Sequence, residues 1–450
     1  MSFQQLKAEV IDQGLCTRCG MCVGVCPEAI LLCNGRDYPY EIPGCTDCGL
    51  CNRACGGAGV DFDFWNERRF RRRPGPDEHQ GLYRDIYLAH AADPDVRRAG
   101  SSGGVVTQLL LDLLRRGEID GAVVAGIDPE RPWRSRAVLA RTEAELKGAA
   151  SSRYSVVPVD AAFAGLRSAR GRWAMVGLAC QIHSLRRLEQ GADWSGPTID
   201  PVIGVYCLGT LEHAAAEELL RLRRIPIARV QRFEYRGGDE WPGKMRVQLR
   251  DGRWRALHRG DYKDGALNGM KLLYTPERCH LCSDGAAELS DLTAADPWIL
   301  DEDGRYLVGK DGGWTMCIVR SRGAEALLER AVAEGVLVRR RVDPGIYFSV
   351  LGPALARKRR LVSLRLEGRR RRGAAVPLYV GQLPGPTGAD RRRARLLEAC
   401  ACLGRHPWTR ALALRILFAR AADSLKNAWA RRKRKRYTAR RAGRGIAGPG

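Results

Sequence analysis

The sequence predicts an α+β chain in three parts: a small cysteine-rich module, a larger body of mixed helices and strands, and a basic C-terminal tail that is helical or disordered. Three observations carry this reading. Eight of the sixteen cysteines fall in two matched runs between Cys16 and Cys55. From Ile86 to Ala333, helical and strand periodicities follow one another. From Leu351 onward 27 Lys and Arg face 4 Asp and Glu, so nearly all of the net charge of +24 sits there. A chain of 450 residues exceeds one hydrophobic core. The boundaries expected are 1–65 for the module, 66–82 for a linker, 83–165 and 166–350 for two parts of the body, and 351–450 for the tail.

Each cysteine run reads C-x2-C-x2-C-x3-C, first Cys16, Cys19, Cys22 and Cys26, then Cys45, Cys48, Cys51 and Cys55. This is the bacterial ferredoxin spacing for [4Fe-4S] clusters, in which the fourth cysteine of each run ligates the other cluster. Centre one therefore takes Cys16, Cys19, Cys22 and Cys55, and centre two takes Cys45, Cys48, Cys51 and Cys26. A lone C-x2-C would also suit zinc or a redox dithiol. Pro27 follows the first run and Gly56 the second; glycine does not fix the chain direction as proline does, so centre two is expected to be looser. Cys33 reads as a small buried hydrophobe. The clusters should supply most of the stability of this ferredoxin-like domain. Cysteines in cluster spacing, behind a polar Met1–Gly14 without an apolar core, predict a reducing compartment, the cytoplasm. No apolar run approaches the ~18 residues that span a bilayer.

Arg68–Pro76 reads as a linker of charges and turn residues. Gly100-Ser101-Ser102-Gly103-Gly104 leads into a helix with Val105, Leu109, Leu110, Leu113 and Leu114 on one face. A Ser/Gly loop opening a helix suits an anionic group, although a serine N-cap with flexible glycines has the same appearance. Ala122–Ile127, Trp173–Leu178 and Pro201–Tyr206 read as buried strands, with Ala179-Cys180-Gln181 as a turn and Ile182–Glu189 as a helix. Asp239–Trp254 reads as an antiparallel ribbon turning at Asp251-Gly252, and Met316–Val319 and Ala324–Ala333 as a strand and a helix.

Cys180 and Cys207 stand at the ends of predicted strands, and Cys279 and Cys282 form a further C-x2-C. Four thiolates favour an iron–sulfur cluster or zinc. Spacing alone leaves open a third [4Fe-4S] cluster, a zinc site helped by His280, and inert core cysteines. The segments Gly100-Ser-Ser-Gly-Gly-Val-Val-Thr107, Ser152-Arg153-Tyr154, Gly177–Ile182, Gly204–Cys207, Trp241-Pro-Gly243, Cys279-x-x-Cys282-x-Asp284, Glu288–Asp291, Asp296-Pro-Trp298 and Gly313-Trp-Thr315 resemble, as a set, the beta subunit of coenzyme F420-reducing hydrogenase and its dehydrogenase relatives. That family also includes chlorophyll-pathway reductases. The resemblance implies FAD held by Ser101, Ser102, Gly103, Gly104, Thr107, Ser152, Arg153 and Tyr154. It also implies an adjacent third cluster on Cys180, Cys207, Cys279 and Cys282. Two positions depart from the family pattern: Ala179 stands for proline, and Arg153 for lysine. Arginine can still grip a pyrophosphate, bidentately rather than as a point charge. The tail has no recognised counterpart.

Clusters pass single electrons and a hydride carries two, and a flavin converts between them. The expected function is an iron–sulfur flavoprotein oxidoreductase. It would relay electrons between a redox partner protein, such as a ferredoxin, and a small-molecule hydride donor or acceptor. The alternatives are a ferredoxin-dependent reductase of a pigment, isoprenoid or sugar-linked substrate, and a non-catalytic subunit of a larger complex. No G-x-G-x-x-G nicotinamide fingerprint follows a strand, and no catalytic side chain is legible; His183, His258 and His280 read as satisfied or surface groups, and His90 only lies near the expected flavin segment in sequence. In the tail, Trp408–Trp429 carries Leu412, Ile416, Leu417 and Leu425 among Arg410, Arg415 and Arg420, a pattern suited to an anionic membrane surface or an acidic partner. The chain has no nucleic-acid reader motif to match its charge. Cys317, Cys400 and Cys402 have no assigned role.

Overall fold

The computed structural model describes residues 2–191, 194–238, 240–259, 262–300, 306, 312–341, 343–381 and 383–419, with 422, 426, 428 and 432. Asp239 at the start of the expected ribbon lies outside these residues, as do Arg420, Leu425, Trp429, Arg431 and residues 433–436 of the tail.

In the module, helices α1 (Met21–Val25) and α2 (Leu50–Arg53) each start from a glycine in the left-handed region, Gly20 at φ 89° and Gly49 at φ 76°. Glycine takes that conformation without a Cβ clash, so the chain turns sharply after the second cysteine of each run. Strands β1 (Leu31–Cys33) and β2 (Pro39–Glu41) form a hairpin, and β3 (Gly59–Asp61) leads into α3 (Phe62–Phe70). Asp61 caps α3 by accepting the Phe64 N–H. The helix fills the start of the expected linker, and Arg69 leaves the charge run to donate to the Leu289 and Ser290 carbonyls at 3.0 and 2.8 Å.

The body follows in order: β4 (Asp85–Ala91), α4 (Val105–Arg115), β5 (Gly121–Ile127), β6 (Ser135–Ala140), β7 (Arg172–Leu178), α5 (Ala179–Gln190), β8 (Thr198–Val205), α6 (Ala214–Leu222), β9 (Val230–Gly237), β10 (Lys244–Leu249), β11 (Trp254–Ala256), α7 (Asn268–Tyr274), β12 (Leu292–Ala295), β13 (Thr315–Val319), α8 (Arg322–Ala333) and β14 (Leu337–Arg341). Eight strands form one mixed sheet in the order β14-β4-β13-β12-β8-β7-β5-β6, parallel through β12, β8, β7 and β5. The ribbon β9-β10-β11 stands apart as a separate antiparallel sheet. The predicted apolar face of α4 is buried except for the half-buried Leu114. Leu111 is buried as well, because α4 packs apolar side chains on more than one side. The fold is α+β; α5 starts directly after the parallel strand β7, and α4 follows β4, which pairs antiparallel with β13 and β14.

The C-terminal segment is built into this frame. Helix α9 (Pro344–Arg371) runs through the boundary expected at 350/351, and β15 (Leu378–Val380), α10 (Gly388–Arg405) and α11 (Pro407–Leu417) follow. Strand β15 pairs in parallel with β3 of the module. Arginines of α9 find distant partners: Arg359 with Glu288, Arg360 with Asp390, and Arg369 with the Ala375 and Gln13 carbonyls. Among the described residues, no helix is long and apolar enough to cross a membrane.

Candidate redox site

The structure brings the eight module cysteines together in the two crossed sets. Burial first, and then the neighbouring Cys19, Cys16 and Cys55 sulfurs, push the Cys22 thiol up. Cys16 is pushed to about 12 by burial and then by Cys55. In the second set Cys51 is pushed to about 11 by burial and then by Cys48, with Cys45 and Cys26 adding to it. Cys26, Cys45, Cys48 and Cys51 line one small cavity of ≈ 20 Å³ with Phe3, Ile30 and Leu31. Cys45 and Cys48 are exposed, so the second set lies at the surface. The first set faces the body. Crowded thiols that repel one another as they ionise are the arrangement that a cluster's iron charge offsets. None of the sixteen cysteines is in a disulfide.

The third set converges from three elements. Helix α5 begins at Ala179, one turn earlier than the sequence suggests, because the Gln181 side chain reaches back to accept the Leu178 N–H at 2.7 Å. Cys180 thus sits in the first helical turn rather than in a loop. Cys207 lies two residues beyond β8, and its N–H donates to the Gly285 carbonyl at 2.9 Å. Cys279 lies in the turn Glu277–Leu281 and Cys282 just after it. Burial and then the Cys282, Cys279 and Cys207 sulfurs push the Cys180 thiol up. The Gly209 N–H approaches Cys207 Sγ at 3.4 Å, and Thr210 Oγ1 lies 3.5 Å from Cys279 Sγ. Such contacts tune cluster potentials. Zinc, at about 2.3 Å from each sulfur, would draw its ligands into a tight shell. Among the described residues, no three His, Cys, Asp or Glu side chains are grouped as a single metal ion requires. Burial pushes His280 down to about 4, so its imidazole is neutral at physiological pH.

Ser184 joins the first set to the third, a link with no signal in the sequence. Its Oγ lies 3.2 Å from Cys19 Sγ, accepts the Gly56 N–H at 3.0 Å and donates to the Cys180 carbonyl at 3.4 Å. A Cβ at Gly56 would stand 2.7 Å from that oxygen, so the residue expected to loosen the module is instead packed where module and body touch. Arg18 fastens the same interface through Glu212 at 2.7 and 2.8 Å, and Arg278 through the Leu15 carbonyl at 2.7 Å.

Beside the third set lies a cavity of ≈ 280 Å³. Ser101, Ser102, Gly104, Thr107, Ser152, Arg153 and Tyr154 line it, and so does Cys207. Gly103 does not; it turns behind the wall at φ 74°, its carbonyl accepting the Ala91 N–H at 2.7 Å. Val105, Val106 and Thr107, the first turn of α4, line the cavity, and the first N–H groups of a helix have no partner within it. Arg153 is pulled down to about 10 by burial and then by Arg232. One of its terminal nitrogens donates to the Ala150 carbonyl at 3.2 Å, and its Nε is buried without a partner. A half-buried cation beside a helix N-terminus fits the pyrophosphate of a dinucleotide. Another part of the lining is polar and aromatic. Tyr154 donates to Tyr262 at 3.0 Å, Tyr262 to Asp296 at 3.4 Å, and Arg236 holds both Asp296 oxygens at 2.8 and 2.9 Å. Trp298 lines the cavity, with Trp241 packed against it at 4.7 Å. Among the histidines, His183 pairs with Asp284 at 3.0 Å, and His258 accepts the Met245 N–H at 2.9 Å.

Comparison with known proteins places this geometry. Residues 86–164 match the N-terminal family model of the coenzyme F420 hydrogenase/dehydrogenase beta subunit, and residues 171–344 match its C-terminal model. Residues 9–31 match a 4Fe-4S binding domain. Coenzyme F420-dependent sulfite reductase of Methanocaldococcus jannaschii is 26% identical over 336 residues, which are 71% of this chain and 46% of that protein. The chain thus spans under half of that relative's length. The beta subunit of coenzyme F420 hydrogenase of Methanothermobacter thermautotrophicus is 24% identical over 66% of this chain and 99% of its own length. A subunit of the F(420)H(2) dehydrogenase of Methanosarcina mazei is 24% identical over 78% and 92%. A chain of the F420-reducing [NiFe] hydrogenase complex from Methanosarcina barkeri shares the fold, with a TM-score of 0.52 at 21% identity over 68% of this chain and 98% of that one.

Proposed function

Because the chain belongs to the family of coenzyme F420 hydrogenase/dehydrogenase beta subunits, we propose that it is an iron–sulfur flavoprotein relaying electrons between a one-electron carrier and a hydride-type substrate. The supporting observation is the line of groups from surface to cavity: the exposed second set, the first set, Ser184, the third set, and Cys207 on the cavity wall. Cys16, Cys19, Cys22 and Cys55 would hold the inner ferredoxin-type cluster, Cys26, Cys45, Cys48 and Cys51 the outer one, and Cys180, Cys207, Cys279 and Cys282 the third. The first turn of α4, Ser101, Ser102, Ser152 and Arg153 would hold the phosphates of FAD. Bound there, FAD would couple single-electron transfer to hydride transfer. Tyr154 Oη, Tyr262 and Asp296 form a hydrogen-bonded chain at the cavity wall along which a proton can pass between Tyr154 and Asp296. The protein would work in the cytoplasm.

The purified chain, supplied with reduced ferredoxin and then separately with reduced coenzyme F420 or NAD(P)H, tests this reading. Turnover of a hydride acceptor or donor supports it. Cluster reduction without any turnover favours the second reading, an electron-transfer subunit of a larger assembly. That reading draws on the short span of the sulfite reductase and on relatives that are themselves subunits.

The exposed faces of α10 and α11 add a docking property. Leu396, Leu403, Trp408, Leu412 and Ile416 are 49–71% exposed, interspersed with exposed Arg392, Arg395 and Arg415. Apolar side chains among arginines suit the surface of an anionic bilayer, at the inner membrane face. Co-sedimentation with vesicles containing anionic lipid is expected to weaken about tenfold in a Trp408→Ser, Ile416→Ser double variant. Equal binding by both proteins, or none by either, rejects the membrane role.

A further inference from the structure

The family match ends at residue 344, where α9 begins, yet α9 packs on the turn that carries Cys279 and Cys282. Arg359 pairs with the buried Glu288, and Arg365 donates to the His280 carbonyl at 3.3 Å. Just before these anchors, Leu355 and Lys358 close on Gly285. A Cβ built there would lie 2.7 Å from Leu355 Cδ2 and 3.3 Å from Lys358 Cδ. The Gly285 carbonyl is the acceptor for the Cys207 N–H. Lys358 therefore lies beside Gly285, whose carbonyl ties Cys207 to the segment bearing Cys279 and Cys282. Lys358 is half-buried, and a lysine in that setting carries its ordinary positive charge.

We propose that Lys358, supplied by the helix beyond the family match, is a positioning residue that raises the reduction potential of the third centre. The inference rests on the reading that Cys180, Cys207, Cys279 and Cys282 hold a [4Fe-4S] cluster. One electron enters such a cluster and no bond is made or broken, so the reduced form carries one more negative charge. A nearby cation stabilises that form more than the oxidised one. Electrons arriving through the module would then be drawn to the centre beside the cavity.

The test is a redox titration, followed by electron paramagnetic resonance, of the anaerobically purified full chain and its Lys358→Met, Lys358→Gln and Lys358→Arg variants. With iron content unchanged, the Met and Gln variants are expected to lower one of the three midpoints. At a fixed potential the reduced-to-oxidised ratio of that cluster falls about tenfold, equivalent to about 59 mV for a one-electron couple. The Arg variant restores it. Loss of the third signal in Met and Gln but not in Arg equally supports the need for a cation. Unchanged midpoints in Met and Gln, or an Arg variant altered as far as Met, overturns the proposal. Failure of the underlying reading is separate and shows first: the unmodified chain would hold about eight irons and two cluster signals.

Discussion

Cys180→Ala is expected to remove about four irons per chain and leave the two ferredoxin-type clusters in place. In that variant a reduced carrier should still bleach the module clusters, while electrons no longer reach the cavity through them. The expectation follows from the position of Cys180. It opens α5, its carbonyl accepts from Ser184, and Ser184 touches Cys19 of the inner set. Removing one thiolate from the third set leaves three, and the bridge from Cys19 through Ser184 then leads to an incomplete centre. Iron analysis with stopped-flow reduction of bound flavin checks this. A variant with full iron and unchanged flavin reduction would place the route elsewhere.

Arg153→Met should weaken flavin retention while leaving all clusters loaded. The guanidinium is half-buried, receives more repulsion from Arg232 than attraction from Glu234, and keeps its Nε without a partner beside the N-terminus of α4. Such a cation is costly to bury unless a ligand completes its hydrogen bonds. Charge-assisted bonds to phosphate contribute roughly 1.5–3 kcal/mol, so a loss of about 10- to 100-fold in flavin affinity is expected. Since Met fills similar volume and removes an uncompensated charge, the apo variant should be at least as stable as the parent. Flavin titration by fluorescence, with thermal unfolding of the apo form, checks both. An unchanged affinity would remove Arg153 from the cofactor site.

Local pattern revealed much of this architecture, and long-range pairing hid the rest. The two cysteine runs were legible because each spacing is set within a few residues, whereas the crossing of their fourth cysteines is a rule of the ferredoxin pattern. The α4 helix and its Ser/Gly loop were legible for the same reason. The start of α5 was not, since Leu178 is no N-cap residue and the cap comes from Gln181 three residues later. The basic tail misled most. Arg359, Arg360 and Arg369 resemble a solvated charge run, yet their partners Glu288, Asp390 and Gln13 lie 30 to more than 350 positions away. Helix α9 also continues through Pro353, a residue that ordinarily ends a helix. Ser184, Tyr262, Arg236 and Lys358 belong to no motif, and only the fold brings them to the cysteines and the cavity.

Metal and flavin analysis of the anaerobically purified full chain tests the central claim most directly. Three four-iron centres and one dinucleotide cavity call for about twelve irons and one FAD per chain. About eight irons, or a fully loaded protein without flavin, would contradict it.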